Sequence, residues 1–398
     1  MYLYNPETFD PLAVLPPSLS KFSDDARYFV HKLYTGRVFN RRNKKKFQQL
    51  KAAYLRKVIS ERKYTAIRQA LIDSQTILTD HHWIRGKKAI GYMLGPQFNE
   101  NKHHRVEIIN KRLIRKIKIH SGRFIKNIEL DVHKHLFNYL KQIKIDYENA
   151  FLKIEEDFHI HELAIAMIRD KAWFFHVDKY GRVHTNITSL KTELRSFLML
   201  NNKKLINIDI QNSQPFFLGV LLLDFYVNKR SISPSYNNIS ILSLIRCDIL
   251  PKDVSFFVNL VKTGNLYEFI AENAGMKIED RKEFKQKLFR DIFFCKNKPW
   301  ETEYSSLFGR LFPNVYGVIK ELKRKDYTSL AKLLQKMESS LIINTIIRQC
   351  MEQFPEMPVF TIHDSIMTTD LWVEKLHDIM LHEFGKIGIV PNLRVEQY

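Results

Sequence analysis

Two aspartates each close a short apolar run, and this arrangement constrains the fold more than any other feature of the chain. Asp209 stands in Leu-Ile-Asn-Ile-Asp-Ile and Asp364 in Val-Phe-Thr-Ile-His-Asp. Such runs predict buried strands, so each carboxylate lies where a strand leaves the core. An acid at that place costs desolvation free energy unless a cation shares the site. If the two strands lie side by side, the pair forms a cradle for two divalent metal ions, the apparatus of nucleotidyl transfer.

The segments around these aspartates predict an α+β fold. Lys204–Ile210 is expected to be a strand, and Val359–His363 with Ser365–Thr369 a hairpin that has His-Asp at or near its turn. Residues 246–340 have a helical pattern, and Leu330–Gln353 reads as one long amphipathic helix. Strands far apart in sequence with helices between them indicate one α+β core that is interrupted by a helical subdomain.

Composition and cysteine usage restrict the class of protein. The 398 residues, with 45% hydrophobic and 27% charged residues, are typical of a soluble globular protein, and no apolar run approaches the roughly 20 residues of a membrane helix. The first residues lack the pattern of a secretory signal. Cys247, Cys295 and Cys350 are widely separated and lack metal-ligand spacing, so we expect them to be small hydrophobic residues of the core. We therefore expect a cytoplasmic protein without a membrane partner, and a phage, plasmid or bacterial context fits its small size.

Positive charge is concentrated in the N-terminal part of the chain. Residues 1–150 contain 30 Lys and Arg against 13 Asp and Glu, whereas residues 151–398 contain 33 against 30. The basic runs include Arg41–Lys46 and Lys111–Lys116. Such a field attracts nucleic-acid phosphates without reading sequence. A solvated basic helix surface, or a patch that faces a ribosome or lipid, remains an alternative.

Aromatic and basic residues alternate within this basic region, which is mostly helical in pattern from Asp24 to about Asp170. They could hold a nucleic-acid backbone and stack on bases, or they could be ordinary helix faces. The residues concerned are Tyr54, Tyr64, Trp83, Arg85, Lys87, Lys88 and Tyr92.

A third motif lies between the two aspartates. Arg281, Lys285, Phe289 and Phe293 recur every four residues, so they occupy one slowly drifting stripe of a helix. Two cations followed by two aromatic rings would present charge to a triphosphate and a ring to a base or sugar. An amphipathic helix with solvated cations is the alternative for any one of these residues.

Each motif is weak when it is taken alone. His363–Ser365 is a short match that is more often structural than catalytic. Asp209 could cap a helix, because Asn212 and Ser213 beside it favour a cap or turn. The joint occurrence of the three motifs is what favours a polymerizing site.

Taken in this order, the motifs resemble those of the family A DNA polymerases and the related phage and mitochondrial single-subunit RNA polymerases. The resemblance covers roughly residues 172–398. It extends to segments at the expected places in the chain, namely Gly181–Thr185, Leu194–Phe197 (like the family's Arg-x-Phe strand), Asn265–Glu268 and Leu311–Val315. Residues 1–171 match no family that we can name, and no exonuclease-like segment is evident.

The resemblance implies a metal site and a nucleotide site. Asp209 and Asp364 would bind two Mg²⁺ ions, with the backbone carbonyl of Ile210 as a further ligand; Mg²⁺ suits hard carboxylate and triphosphate oxygens. Arg281 and Lys285 would neutralise the incoming triphosphate as charge shifts to pyrophosphate.

The remaining site residues would contact the base, the sugar and the primer-template. Phe289 and Phe293 would pack on the incoming base and sugar, and His363 would approach the primer terminus. Arg182 and Arg195 would contact template or primer phosphates, or would only brace the palm.

The resemblance also implies a right-hand architecture. A palm would be formed by residues 172–245 and 341–398, with helical fingers at 246–340. The basic, mostly helical residues 1–171 would replace the thumb and grip duplex. The expected protein is a monomeric, exonuclease-free DNA polymerase that uses primer-template DNA and nucleoside triphosphates, with a replication accessory protein as a possible partner.

Three departures from the family pattern leave the sugar selectivity open. Gln214 stands where the DNA polymerases carry the Glu that forms part of the gate against a ribose 2′-hydroxyl. Phe293 replaces a Tyr, and Ser365 follows His-Asp as in the RNA polymerases. A single-subunit RNA polymerase or primase-like enzyme therefore remains an alternative. A non-catalytic replication protein that keeps the palm as a scaffold and a two-metal nuclease are further alternatives.

Overall fold

A computed structural model describes residues 1–39, 47–98, 103–121, 128, 130–154, 159–227, 250–276, 281–297 and 302–397. The chain is a mixed α/β protein that divides into two compact units. Unit 1 comprises residues 1–129, 143–176 and 185–198, and unit 2 comprises residues 130–142, 177–184 and 199–398. The basic run Arg41–Lys46 and Cys247 lie outside the described residues.

The strands are short, and every pairing between neighbours given below is antiparallel. In chain order they are β1 (Tyr2–Pro6), β2 (Gln48–Gln49), β3 (Ile77–Thr79), β4 (Gly91–Leu94), β5 (His103–Glu107), β6 (Lys144–Ile145), β7 (Phe175–Val177), β8 (Val183–Thr185), β9 (Leu198–Leu200), β10 (Lys203–Ile210), β11 (Phe360–Ile362), β12 (Ser365–Thr369) and β13 (Leu393–Gln397).

Helices make up most of the regular structure. The α-helices are α1 (Pro11–Val14), α2 (Ser23–Phe39), α3 (Ala52–Val58), α4 (Tyr64–Asp73), α5 (Lys111–Ser121), α6 (Asp131–Leu140), α7 (Tyr147–Leu152), α8 (His159–Arg169), α9 (Ser213–Tyr226), α10 (Lys252–Thr263), α11 (Leu266–Asn273), α12 (Arg281–Leu288), α13 (Glu303–Leu311), α14 (Pro313–Leu322), α15 (Ser329–Ser339), α16 (Arg348–Gln353) and α17 (Val373–Lys386). Short 3₁₀ helices span Pro17–Phe22, Pro96–Phe98, Thr192–Phe197 and Asp370–Trp372, and π-helical turns span Phe289–Phe293 and Ser340–Ile347.

Unit 1 is built around α2, which is amphipathic. Ala26, Phe29, Val30 and Leu33 follow the i, i+3, i+4, i+7 spacing of a buried helix face, and all four are fully buried. The helix packs against β1 and α4, and β1 pairs with β5 while β2, β4 and β3 form a second small sheet. Within the described residues, the basic region 1–171 is thus mostly helical, as predicted, but it also contains six short strands, β1 to β6.

A buried carboxylate joins three segments of unit 1. Asp25 is fully buried and accepts both Nη2 hydrogen bonds of Arg112, at 2.6 and 2.9 Å, and the backbone N–H of Ser60 at 2.8 Å. A buried carboxylate is stable only when its charge is paired and hydrogen-bonded. Arg112, part of the basic run Lys111–Lys116, therefore has a structural partner.

The centre of unit 2 is a sheet with the order β11–β12–β10–β13. β10 pairs with β12 over residues 205–209 and with β13 over residues 206–210, while β9 pairs with the first two residues of β10. β12 is buried along its whole length, as expected for a central strand that also has α17 packed against it. The predicted strand Lys204–Ile210 and the predicted hairpin are confirmed.

The helices of unit 2 pack around α9. Its residues from Phe216 to Leu222 are all buried, because α10 and α15 lie against it. The predicted long helix Leu330–Gln353 is also confirmed: α15, the π-helical turn Ser340–Ile347 and α16 follow one another without a break.

Two expectations about local structure require correction or restriction. Leu194–Phe197, predicted as a strand, forms a 3₁₀ helix, and β9 begins only at Leu198. Cys350 is buried as predicted, whereas Cys295 is only half-buried. Within the described residues, no helix is both long enough and apolar enough to cross a membrane.

Candidate active site

Asp209 lies near the end of the central strand of unit 2, between two partner strands. Its Cα pairs with Ser365 of β12 on one side and with Arg394 of β13 on the other. Because Asp364 directly precedes Ser365, the pairing of β10 with β12 brings the two aspartates to the same end of the sheet. This is the side-by-side arrangement that the sequence predicts.

Asp364 belongs to a two-residue hairpin turn. Ile362 of β11 pairs with Ser365 of β12, so His363 and Asp364 are the only residues between the strands. His363 has φ of 55°, in the left-handed region that favours glycine, and its side chain is exposed. The backbone of a non-glycine residue is strained in this conformation, and strained residues of this kind are concentrated at functional sites.

The electrostatics of Asp209 are those of a carboxylate to which no cation of the described residues is directly bonded. Burial, and then the charges of Asp364 and Glu396, raise its pKa to about 7, while Lys285 and Arg394 act in the opposite direction. No residue in the described part of the chain forms a hydrogen bond or ion pair with the side chain of Asp209 or Asp364. The two half-buried carboxylates thus repel each other and remain available to a ligand.

The donor set fits magnesium. Mg²⁺ in proteins is usually held by one or two carboxylates together with substrate phosphates and water, rather than by a closed set of protein ligands. Accordingly, the described residues contain no cluster of three or more His, Cys, Asp or Glu side chains that could hold a metal. The N–H of Gln211 donates to the carbonyl oxygen of Asn392, the residue directly before β13, at 3.1 Å. Because backbone groups alternate along an antiparallel strand, those of Ile210 point to the opposite side of β10, the side of β12.

Lys285 belongs to the same site. Its charge lowers the pKa of Asp209, and its Nζ lies 5.5 Å from the ring centroid of Tyr267 and 5.9 Å from that of Phe289. Lys285 is exposed and Phe289 half-buried, so both remain accessible. The side chain of Arg281 lies outside the described part of the structure; its backbone begins α12.

Phe293 is placed differently from Phe289. A π-helical turn begins at Phe289, and Phe293 is fully buried, with its ring 5.2 Å from that of Phe289 and 6.3 Å from that of Phe308. Because its ring is fully buried, Phe293 does not have the exposed surface that the expected contact with a base or sugar requires. In this structure Phe293 supports Phe289 from below.

A second carboxylate near the aspartates, Glu338 of α15, is fully satisfied. It is 1% exposed and accepts hydrogen bonds from Arg182 Nη2 at 2.5 Å, Ser213 Oγ at 2.9 Å and Gln214 Nε2 at 2.6 Å. Burial raises the pKa of Glu338, Arg182 opposes this, and the charge of Asp364 adds to it. Glu338 therefore couples the start of α9, including Gln214, to the aspartate pair.

The turn that precedes β8 is fastened to the same helix. Asp178 accepts hydrogen bonds from the N–H groups of Tyr180 and Arg182 and bonds to His184 Nε2, while Ser339 Oγ donates to the carbonyl of Tyr180. Of the two roles expected for Arg182, its pairing with Glu338 supports the bracing role. Arg195, the other predicted arginine, belongs to unit 1 and donates from Nε to the carbonyl of Leu190 at 3.2 Å.

Three further residues of the site escape the sequence motifs. Arg394 and Glu396 lie on β13, and Glu396 accepts a hydrogen bond from Asn207 at 3.4 Å. The third, Glu338, has one usable signal: it is an acidic residue three positions before the apolar run Leu341–Ile343 of a predicted amphipathic helix. His184, which belongs to the predicted segment Gly181–Thr185, lies with its ring 6.0 Å from that of His363.

No protein-family model matches the sequence, and no curated protein is similar to it in sequence. Among solved structures, the chain is similar to the polymerase domain of Pol1 from M. smegmatis, in complex with DNA primer-template and dNTP. The similarity amounts to 13% sequence identity and a TM-score of 0.26, over 71% of this chain and 63% of the other. A likeness this distant leaves fold and function to be argued from the chain's own residues.

Proposed function

We propose that this chain is a magnesium-dependent, exonuclease-free DNA polymerase of the family A type, with its nucleotidyl-transfer site in unit 2. The observation that carries the proposal is the pairing of β10 with β12, which brings Asp209 and Asp364 together while no cation among the described residues bonds to either carboxylate. In this proposal residues 172–245 and 341–398 form the palm, residues 246–340 the fingers and residues 1–171 a duplex-gripping region.

The reaction extends a primer on a template. The primer 3′-hydroxyl releases its proton to solvent and its oxygen forms a bond to the α-phosphorus of the nucleotide. The bond from that phosphorus to the oxygen that bridges it to the β-phosphorus breaks, and pyrophosphate leaves. Asp209 and Asp364, with the Ile210 carbonyl, would hold two Mg²⁺ ions, which supply charge stabilisation to the attacking and leaving oxygens.

The other residues bind and orient the nucleotide. The ammonium group of Lys285 and the guanidinium group of Arg281 would bind the triphosphate, whose negative charge increases on the leaving group. Phe289 would pack on the base, because its ring is accessible beside Lys285. His363 is exposed at the tip of the hairpin, where it would approach the primer terminus.

Synthesis of RNA is the second candidate, and Gln214 is the observation that favours it. Its Nε2 is engaged by Glu338, and its Oε1 is buried without a hydrogen-bond partner among the described residues. By the resemblance, a neutral amide that is held by Glu338 replaces the carboxylate of the DNA polymerases' gate against a ribose 2′-hydroxyl.

The test is incorporation of labelled nucleotides on a primed single-stranded DNA template with Mg²⁺, with dNTPs and NTPs offered separately. D364N should lower the rate by at least about a hundredfold, because it removes one of two metal-binding carboxylates. D378N is the matched control, since Asp378 is an exposed residue of α17. Wild-type extension by D364N would refute the site, and extension with NTPs alone would identify an RNA polymerase.

A further inference from the structure

An ordered loop in unit 1 presents a tryptophan to solvent. Residues 80–90 join β3 to β4, and near their tip Ile84 and Lys88 exchange two backbone hydrogen bonds of 3.0 and 2.9 Å. Gly86, within this tip, has φ of 72°, a conformation that glycine adopts without strain. The tip is thus a regular tight turn that fixes the direction of the residues before it.

The base of the loop is held by one carboxylate. Asp80 accepts the N–H of Gly91 at 2.8 Å, the N–H of His82 at 3.0 Å and Nζ of Lys88 at 3.0 Å. These three bonds connect both ends of the loop, so its conformation is set before any ligand binds. Preorganisation of this kind lowers the entropy lost on binding.

Trp83 is the side chain that this loop displays. It is 61% exposed, although indole is among the side chains that gain most from burial. Beside it lies an open groove of about 690 Å³, with Leu50 and Ile90 among its apolar residues and Lys51 and Lys87 among its cations. A flat aromatic face next to an apolar groove is a surface for another flat, apolar group.

The charge around the groove selects a polyanion. None of its lining residues is acidic, and within the described residues no carboxylate pairs with Lys51 or Lys87. Asp80, which lies at the base of the loop, is already paired with Lys88. A polyanion that carries exposed aromatic rings is therefore complementary to this surface in both charge and shape.

We propose that the groove beside Trp83 binds single-stranded nucleic acid, with an unpaired base stacked on the indole and backbone phosphates on Lys51 and Lys87. Aromatic platforms combined with cationic grooves are how proteins bind single strands without sequence preference. A duplex does not fit this description, because its bases are already stacked on one another. The groove shares no residue with the proposed nucleotidyl-transfer site, and the binding proposed here does not depend on the activity of that site.

The test is equilibrium binding of fluorescein-labelled oligothymidylate to the full chain in EDTA without nucleotides, measured by anisotropy. W83A should weaken binding about fivefold to a hundredfold, the range given by the loss of one base–aromatic stack. An abasic oligomer of equal charge should bind W83A and wild type alike, and W83F should retain most of the affinity for oligothymidylate. L12A is the matched control, because Leu12 is a similarly exposed apolar residue of unit 1.

Two further measurements locate the bound strand. K87E should weaken the binding of both oligothymidylate and the abasic oligomer, and it should reduce the salt dependence of that binding. K21E makes the same change at an exposed lysine outside the groove and should weaken binding less. Photocrosslinking with an oligomer that contains 5-iododeoxyuridine should label the peptide that carries Trp83.

Equal affinities of W83A and wild type for oligothymidylate would overturn the proposal. So would a W83A protein whose self-association is lost while oligomer binding is unchanged, since the groove would then be an interface between copies of this chain. Failure of D364N in the synthesis assay with normal oligothymidylate binding would show that the two sites are independent. If the wild-type protein synthesises no product but binds oligothymidylate in a manner that depends on Trp83, only the proposed function is refuted.

Discussion

Replacing Asp209 by Asn should stabilise the metal-free protein, by an amount that grows with pH. In the folded protein, burial and then the charges of Asp364 and Glu396 raise the pKa of Asp209 from 3.8 to about 7. For a group whose pKa is raised on folding, the contribution to stability is fully present below the unfolded-state pKa and is lost as the pH rises through the folded-state pKa. Asn does not ionise, so the folding free energy of D209N does not decrease in this way as the pH rises.

The magnitude follows from the two pKa values. Between pH 5 and pH 8, a carboxyl with these values loses at most about 2.5 kcal/mol of folding free energy. Because Asp209 is only half-buried and solvent screens its charge, we expect about 1–2 kcal/mol. For a unit of this size, that corresponds to a difference in Tm between D209N and wild type that widens by about 2–8 °C over the same range.

The assay is unfolding of both proteins in EDTA at several pH values, by urea and by heating. Taking the difference between D209N and wild type removes the contributions of all other titrating groups, and D378N controls for the loss of one aspartate. At pH 8, added Mg²⁺ should raise the Tm of wild type more than that of D209N, because a ligand stabilises only the state that binds it. A difference between the two proteins that does not change with pH would refute the reasoning.

Two neighbouring positions give further tests. E338A should lower the free energy of unfolding by about 3–5 kcal/mol, because it leaves the guanidinium of Arg182 without its buried partner. E338Q should cost less, because it also removes the charge but retains the shape and a hydrogen-bond acceptor; equal losses in urea unfolding would contradict this contribution of the hydrogen bonds. H363G should be more stable than H363A by about 1 kcal/mol, because only glycine adopts the φ of 55° without strain; equal Tm values would show that the hairpin relaxes.

The sequence predicted the strands of the site because their signals are local. The apolar run before Asp209 and the two halves of the hairpin around Asp364 specify strands by composition and length alone. Their adjacency was a hypothesis that followed from the chemistry of two like charges. β13 could not be predicted in this way, because Leu393–Gln397 is mostly polar and its pairing with β10 joins segments distant in sequence.

Side-chain roles were harder to predict than strands, since they depend on partners distant in sequence. The four-residue spacing placed Lys285, Phe289 and Phe293 on one face of a helix. Spacing alone does not reveal that Phe293 is buried against Phe308. Tyr64 and Tyr92, predicted among possible stacking residues, are buried in the core of unit 1, whereas Trp83 is exposed. Only the packing of the whole unit separates these aromatic residues.

The contrast between Glu338 and the two aspartates indicates which carboxylates the fold uses for its own stability. Glu338 is fully buried, yet three donors from distant segments satisfy it, so removing it should destabilise the protein. Asp209 is less buried, but its burial and then the charges of Asp364 and Glu396 raise its pKa, and no described side chain bonds to it. Removing its charge should therefore stabilise the metal-free protein, as expected where a site is kept ready for a ligand at the expense of folding free energy. Opposite signs for E338A and D209N, measured at pH 8 in EDTA, would separate a bracing carboxylate from a ligand-binding one within a single site.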